Sequence, residues 1–311
     1  MPIETYESYQ SWDFSSDILP ERSILYSLEP IGVGTPLVES LNSYLIRLAS
    51  IHKTNVWDFI HNYIAPLFFL NQLPKRLSQK DAVDSVMWQL HRELDILMRP
   101  DAEFWLDKTK HVSQVVRVLE ILTGRKDIRY LTLLPWQTWR ISFNNIFNTE
   151  QPWCVACYQE WRYSNTPVYQ PLLWALETVT VCPYHQRYLQ LYCLYCRLSQ
   201  PFFKRHGSEG KCFYCGAWLG RFVDLPSYSQ TIGQKFDLEL WFAQAVGKLL
   251  AATPELDKNS LIQDTQVTSP RRKPTLKQFL RWCYRLEISP VQGLSLLGIK
   301  SSNTSTVTNR T

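Results

Sequence analysis

The chain has 311 residues, of which 45% are hydrophobic, and a formal net charge of +5. That length and apolar fraction suffice for two or three domains with real cores, so a fully disordered chain is excluded. Its 11 glycines, and the absence of dinucleotide-binding and P-loop glycine motifs, argue against an enzyme whose backbone cradles phosphates. The N-terminus lacks the residue order of a signal peptide, and the apolar runs are too short to cross a bilayer. We therefore expect a cytoplasmic protein, whose eight cysteines do not form disulfides.

Residues 1–35 are predicted to form an N-terminal arm. Four aromatic residues lie among serines and acids without helical or strand periodicity, and prolines and glycines interrupt the segment that follows. Such rings either bury in the groove of a partner or pack on the rest of the protein, and the sequence leaves both alternatives open. The four aromatic residues are Tyr6, Tyr9, Trp12 and Phe14.

Residues 36–150 are predicted to form a helical domain. Thr35 and Pro36 have the pattern of an N-cap and a first helical position, and leucines at helical spacing follow over residues 37–48. Thr54 has the pattern of an N-cap for a second helix. Two helices joined by so short a turn resemble a helix-turn-helix, although such pairs are also common in all-α proteins that never contact DNA.

Seven of the eight cysteines fall within residues 151–225, which we predict to be a double zinc-finger domain. Four knuckles occur, each a pair of ligand-type residues separated by two others. That spacing lets a tight turn direct both side chains at one ion, and four sulfur or imidazole ligands suit tetrahedral Zn²⁺. The predicted ligands are Cys154, Cys157, Cys182 and His185 for one zinc ion and Cys193, Cys196, Cys212 and Cys215 for a second.

The knuckles can pair in two ways. Sequential pairing joins the first knuckle to the second and the third to the fourth, whereas a cross-brace joins the first to the third. In both cases each ion has four protein ligands and no position left for water, which disfavours metal catalysis. A zinc-deaminase interpretation fails as well, because its signature would leave Cys182 and His185 unused. We therefore expect two structural zinc ions and no enzyme activity.

Residues 226–300 are predicted to form a C-terminal helical domain that ends in a second helix-turn-helix-like pair, at 275–286 and 289–297. A polar linker is predicted over residues 253–274, before that pair. The Ser/Thr/Asn-rich tail at 301–311 is predicted to be disordered. The expected fold class is thus mainly α, with a helical domain on each side of a central tandem zinc-finger region.

Two basic patches are candidates for contact with nucleic-acid phosphates. One flanks the second zinc site, where five lysines and arginines face a single acid, Glu209. The other lies in residues 271–285, which contain no acid and place three basic residues four apart on one helix face. A solvated surface is the alternative in both places. The candidate residues are Lys204, Arg205, Arg271, Arg272, Lys273, Lys277, Arg281 and Arg285.

Two stretches resemble the TniQ family, the target-selection proteins of Tn7-like transposons, which include the larger TnsD proteins. One begins at Pro30 and continues through PLVESLNSYLIRLA at 36–49, similar to the opening motif of the family. The other is the run of knuckles from Cys154 to Cys196 with its intervening tryptophans, similar to the zinc region of the family. Both occur in the order typical of the family.

The resemblance implies a bacterial adaptor without an active site, which marks the insertion site and recruits the AAA+ ATPase TnsC. Shorter members dock on a CRISPR effector complex (Cascade) with its guide RNA, and TnsD-like members read DNA directly. Since the chain lacks the long C-terminal extension expected for reading an attachment site, we favour effector docking, close to the target DNA. By analogy with the family, the arm residues Tyr6, Tyr9, Trp12 and Phe14 are the candidates for the contact with TnsC.

Two alternative functions stay open. In the first the chain is a TnsD-like selector that binds target DNA directly, and in the second it is a stand-alone, sequence-specific DNA-binding regulator. A regulator would bind one duplex tightly by itself, with an affinity that falls steeply as salt rises, whereas an adaptor would bind duplex feebly and co-purify with its partners. The sequence does not distinguish a monomer from a homodimer.

Overall fold

The computed structural model describes residues 23–70, 109–139, 141–142, 146–202, 209–221, 233–260 and 273–297. These residues are mainly helical, as the sequence predicts, and contain one two-stranded antiparallel sheet. The helices are α1 Leu41–Ile51, α2 Val56–Phe59, α3 Ala65–Leu70, α4 Thr109–Thr123, α5 Val155–Tyr163, α6 Leu172–Ala175, α7 Gln234–Ser260, α8 Leu276–Arg285 and α9 Pro290–Leu296; the strands are β1 Val181–Cys182 and β2 Arg187–Tyr188. A π-helical turn, Ile60–Ile64, joins α2 to α3, and two 3-10 helices, Ile128–Leu131 and Leu134–Thr138, follow α4. No helix within these ranges combines the length and apolar character needed to cross a membrane.

Helix α1 begins later than the sequence predicts. Its N-cap is Ser40, whose Oγ accepts a hydrogen bond from the amide of Ser43. The predicted start at Thr35 was wrong, because residues 38–40 are extended and Glu39 forms an antiparallel bridge with Pro171. A helix over residues 36–40 would lose the backbone hydrogen bonds that join Val38 to Leu172 and Ser40 to Gln170.

A buried ion pair holds the loop that precedes α1. Glu39 is fully buried, and Arg47 on α1 donates two hydrogen bonds of 2.7 Å to its carboxylate. The amide of Ile31 donates to the same carboxylate at 3.2 Å, and Arg47 also donates to the carbonyl of Glu29 at 3.0 Å. Charge-assisted bonds in this fork geometry compensate for the desolvation of both side chains. The glutamate and arginine of the opening motif therefore fix the loop that precedes α1 against that helix.

Backbone hydrogen bonds join the start of α1 to the region that carries the knuckles. The amide of Ser40 donates to the carbonyl of Gln170 at 2.8 Å, and the amide of Gln170 donates to Oγ of Ser43 at 3.0 Å, across 127 residues of sequence. The amide of Leu172 donates to the carbonyl of Val38 at 2.8 Å. A single hydrophobic core includes residues from before and after position 150 and from α7, α8 and α9. The core is therefore continuous across position 150.

Helix α7 extends beyond its predicted end. It continues through Pro254 to Ser260, so the prediction of a linker was wrong over residues 253–260. Thr253 is buried, donates to the carbonyl of Leu249 at 2.8 Å and accepts a 2.8 Å hydrogen bond from Nε1 of Trp136. These contacts hold the helix together at the point where proline removes a backbone donor.

The last two helices begin where their sequence signals predict. Thr275 caps α8 and Ser289 caps α9, and each forms a capping box with the glutamine three residues later. The two helices pack closely, because a Cβ added at Gly293 would lie 2.6 Å from Sγ of Cys283. Cys283 is fully buried in this contact, so it acts as a packing residue.

Candidate metal centres

The structure gathers the eight predicted ligands into two clusters. Within each cluster the ligand atoms all lie within 4.8 Å of one another. The first two knuckles form one cluster and the last two form the other, so the pairing is sequential rather than cross-braced. Cluster 1 comprises Cys154, Cys157, Cys182 and His185, and cluster 2 comprises Cys193, Cys196, Cys212 and Cys215.

The distances inside both clusters fit a tetrahedral ion and exclude disulfides. In cluster 1, Sγ of Cys157 lies 3.7 Å from Sγ of Cys182 and 3.3 Å from Nδ1 of His185. The two sulfur pairs across cluster 2 are 3.7 and 3.6 Å apart. Sulfurs about 2.3 Å from one Zn²⁺ at tetrahedral angles lie roughly 3.8 Å apart, whereas a disulfide bond is about 2.0 Å long. The donor set and its spacing therefore suit one divalent ion per cluster.

Cluster 1 lies at the junction of α5 with the β1–β2 hairpin. Cys154 is the N-cap residue of α5 and Cys157 lies in its first turn, so the start of one helix supplies two ligands. Cys182 ends β1, and His185 lies in the turn before β2. The three cysteines are at most 2% exposed and belong to the hydrophobic core. An ion here is held inside the protein.

A carboxylate next to cluster 1 contacts its imidazole. Nδ1 of His185 faces the three sulfurs at 3.3–3.8 Å, while Nε2 lies 3.4 Å from Oε2 of Glu160. Metal-ligating histidines commonly hold their second nitrogen in this way, which orients the ring and raises its basicity. Glu160 was not among the residues predicted from the sequence. Its position three residues after Cys157, on the same helix, was the available signal, because residues at that spacing are neighbours on a helix.

The thiols of cluster 1 share protons unequally. Hydrogen bonds with Cys154 and Cys157 lower the pKa of the Cys182 thiol to about 2. Hydrogen bonds with Cys154 and Cys182 raise the pKa of the Cys157 thiol. Three thiolates this close repel one another unless a cation lies between them. Metal binding is therefore coupled to release of thiol protons, so affinity for the ion falls as pH falls.

Cluster 2 is buried on one side and open on the other. Its knuckles are short hairpins, in which the amide of Cys193 donates to the carbonyl of Leu198 at 2.9 Å and the amide of Cys212 donates to the carbonyl of Ala217 at 2.8 Å. Cys193 and Cys212 are at most 3% exposed and belong to the hydrophobic core, whereas Cys196 is half-buried and Cys215 is exposed. Nε2 of Gln200 donates to Sγ of Cys212 at 3.3 Å, a contact that would favour a thiolate. Each hairpin of cluster 2 thus contributes one ligand from the core and one nearer the surface.

The remaining candidate residues are only partly described. Lys273, Lys277, Arg281 and Arg285 are exposed on or just before α8, and Nζ of Lys277 lies 3.9 Å from the carboxylate of Glu177. Helix α9 carries no charged residue, so the second helix of this pair offers no ionic contact of its own. The other candidate residues lie outside the described ranges; they are Tyr6, Tyr9, Trp12, Phe14, Lys204, Arg205, Arg271 and Arg272.

Comparison with known proteins identifies the family. No curated protein matches the chain. The TniQ family model matches residues 30–189, which is just over half of the chain. The match begins in the loop held by Glu39 and Arg47, includes all four ligands of cluster 1 and ends before cluster 2. The chain therefore belongs to the TniQ family, the target-selection proteins of Tn7-like transposition.

Proposed function

We propose that the chain is a non-catalytic adaptor that bridges a CRISPR effector complex (Cascade), bound at target DNA, to the AAA+ ATPase TnsC and so directs RNA-guided transposition. The observation that carries the proposal is the TniQ match over residues 30–189. The two clusters agree with a role without catalysis, because each has four protein ligands. A catalytic zinc site has three and keeps its fourth position for water or substrate.

We further infer that both clusters hold Zn²⁺ and that the ions are structural. Three cysteines with one histidine, and four cysteines, are common ligand sets of structural zinc. Within described residues 176–202 and 209–221, the two-residue strands β1 and β2 are the regular elements. So little secondary structure provides few contacts of its own, and metal binding would supply much of the folding energy of this region.

An adaptor must hold two partners in a fixed relation. The hydrogen bonds of Ser40 and Ser43 with Gln170 join the helical region to the region of the knuckles. A partner bound to one region is thereby placed relative to a partner bound to the other. By family analogy, TnsC binds the arm with Tyr6, Tyr9, Trp12 and Phe14, and the effector binds elsewhere on the chain.

Reconstitution tests this function. The tagged, full-length chain is incubated with Cascade carrying its guide RNA, with TnsC, and with both in the presence of target duplex. We expect capture of each partner alone and of both together, and failure to capture either one contradicts the proposal. The substitution Trp12→Ala is expected to weaken TnsC capture without changing the circular dichroism spectrum. The matched control is Tyr163→Ala, which removes a ring that is 81% exposed at the end of α5.

Direct reading of DNA has less support. A recognition helix contacts base edges and is flanked by phosphate contacts, but α9 has seven residues and no charge. The basic side chains Lys277, Arg281 and Arg285 lie on α8 instead. If the chain alone binds one duplex tightly, with an affinity that falls steeply with salt, direct reading replaces the adaptor proposal.

A further inference from the structure

Three of the four knuckles share one hairpin register. In each of them the residue before the first ligand pairs in antiparallel fashion with the third residue after the second ligand. The pairs are Val181 with Tyr188, Tyr192 with Ser199, and Lys211 with Trp218. The knuckle at Cys154 differs, because α5 begins inside it. We call the other three the ligand hairpins.

The turns of the ligand hairpins also have the same conformation. The residue after the second ligand has a positive φ angle, which is 46° at Gln186, 61° at Arg197 and 70° at Gly216. In all three hairpins its amide donates a 2.9 Å hydrogen bond to the carbonyl of the first ligand. Equivalent positions in the three turns therefore have the same relation to their metal cluster.

Each ligand hairpin has a tyrosine immediately before its second ligand. The exposed fractions of the three side chains are nearly equal, at 56% for Tyr184, 54% for Tyr195 and 54% for Tyr214. Rings that are half exposed contribute little to a core, and a tyrosine ring offers a flat apolar face with a polar edge. The recurrence of this residue at one exposed position therefore indicates a binding surface.

Basic side chains accompany the tyrosines. Arg187, Arg197, Lys211 and Arg221 are all exposed. Among described residues 181–202 and 209–221, Glu209 is the one acid. The guanidinium of Arg221 lies 5.8 Å from the centroid of the Tyr195 ring and donates to its hydroxyl, so a positive charge sits directly beside an exposed ring.

We propose that the exposed side chains of Tyr184, Tyr195 and Tyr214, together with Arg197 and Arg221, bind single-stranded RNA. Proteins that bind single strands combine aromatic rings, on which bases stack, with cations that contact the phosphates. Bases inside a duplex are not free to stack on side chains, and zinc knuckles are a common scaffold for RNA recognition. RNA is favoured over DNA because tyrosine hydroxyls at the ring edges can bond to the ribose 2′-hydroxyl. This inference goes beyond the adaptor function and does not depend on it.

Fluorescence anisotropy with the full-length, zinc-loaded chain tests the proposal. The probe is a fluorescein-labelled oligouridine of about 12 nucleotides, within the usual range of single-strand sites, and the comparison ligands are oligothymidine and an RNA duplex of equal length. We expect the oligouridine to bind most tightly. Replacing Tyr195 or Tyr214 by alanine is expected to weaken its affinity by about 5- to 150-fold, the range for loss of one stacked base.

Two further variants and a control separate stacking from folding. Tyr195→Phe and Tyr214→Phe keep the rings and are expected to retain most of the affinity for oligouridine. They should lose part of its advantage over oligothymidine, because no hydroxyl remains to bond the ribose 2′-hydroxyl. Arg221→Gln is expected to weaken binding and to reduce its salt dependence, because one phosphate contact is lost. The control Tyr163→Ala removes an exposed ring outside the ligand hairpins and should leave the affinity for oligouridine unchanged. Metal content is measured for every variant, so that loss of an ion is not mistaken for loss of a contact.

Several results would overturn the proposal. Stacking of single strands is excluded if oligouridine binds no more tightly than the RNA duplex. It is also excluded if the alanine variants retain both their ions and the wild-type affinity for oligouridine. Oligothymidine bound as tightly as oligouridine excludes RNA as the specific ligand. If the alanine variants instead lose capture of Cascade or TnsC while RNA affinity is unchanged, the tyrosines form a protein interface. The last outcome also leaves the adaptor function intact, so the two proposals fail separately.

Discussion

Clusters 1 and 2 use the same kind of ligands in very different surroundings. Cys154, Cys157 and Cys182 of cluster 1 are at most 2% exposed and belong to the core. In cluster 2 Cys193 and Cys212 belong to the core as well, but Cys215 is exposed. Cluster 1 takes two ligands from a helix and lies within the TniQ match, whereas cluster 2 lies between hairpins and beyond the match. An ion in cluster 1 would join a helix to a hairpin inside the core, whereas an ion in cluster 2 would join two hairpins and be open on one side.

Loss of a ligand from cluster 1 is expected to have the largest effect. Cys182→Ser removes a buried thiolate, and a structural zinc site contributes on the order of 10 kcal/mol, comparable to the whole stability of a domain. We expect the variant to lose one ion and its cooperative unfolding transition, measured by metal analysis and chemical denaturation. The control Cys283→Ala alters a buried cysteine outside both clusters and should retain both ions. A Cys182→Ser variant that unfolds like the wild type would show that the core does not depend on cluster 1.

The buried ion pair beside the core is expected to rank second. Glu39→Gln leaves Arg47 without a counter-charge and should lower the free energy of unfolding by about 3 kcal/mol, measured by urea denaturation. The control is Asp127→Asn, because its ion pair with Arg125 is more open, with side chains 29% and 22% exposed. Its loss should cost less than about 1 kcal/mol. Equal decreases in the free energy of unfolding of the two variants would mean that burial of the Glu39–Arg47 pair does not increase the cost of breaking it.

Loss of a ligand from cluster 2 is expected to have a smaller and local effect. Cys215→Ser should release one ion and make residues 193–221 more sensitive to protease. Cluster 1 and the helical signal in circular dichroism should remain, because Cys215 lies on the exposed side of cluster 2. Metal analysis and limited proteolysis measure both effects. Release of both ions from this variant would show that the clusters fold as one unit and would remove the contrast between them.

The smallest of the four effects is expected at Glu160. Glu160→Gln removes the charge beside His185 and should weaken metal binding at cluster 1 by about 10- to 100-fold, with the fold unchanged, in competition with a chelator. Glu177→Gln is the matched control, since that exposed carboxylate lies near Lys277. If both variants bind metal as the wild type does, the contact between Glu160 and His185 has no influence on the ion.

Short-range signals predicted much of the site. Two residues between ligands are a local requirement of a knuckle, and the spacing alone identified the eight residues that the structure gathers into clusters. Capping is equally local, so the starts of α8 and α9 follow from Thr275 and Ser289 with their glutamines. The resemblance to TniQ, carried by the opening motif and the knuckles, is confirmed by the family match.

Features that depend on distant partners were missed. The start of α1 at Leu41 depends on an extended segment that pairs with residues near Gln170. The continuation of α7 past Pro254 depends on the contact between Thr253 and Trp136, which are 117 residues apart. Sequence periodicity contains no information on either contact, because each joins segments brought together only by packing.

The sequence by itself determined the family, the mainly helical character and the metal-binding residue types, since these depend on residue identity and on spacings of a few positions. Only the tertiary structure decided that the knuckles pair sequentially, that Cys215 of cluster 2 is exposed while all three cysteines of cluster 1 are buried, and that three tyrosines occupy equivalent exposed positions. Burial and pairing result from long-range packing, in which apolar area is removed from water by segments far apart in the chain.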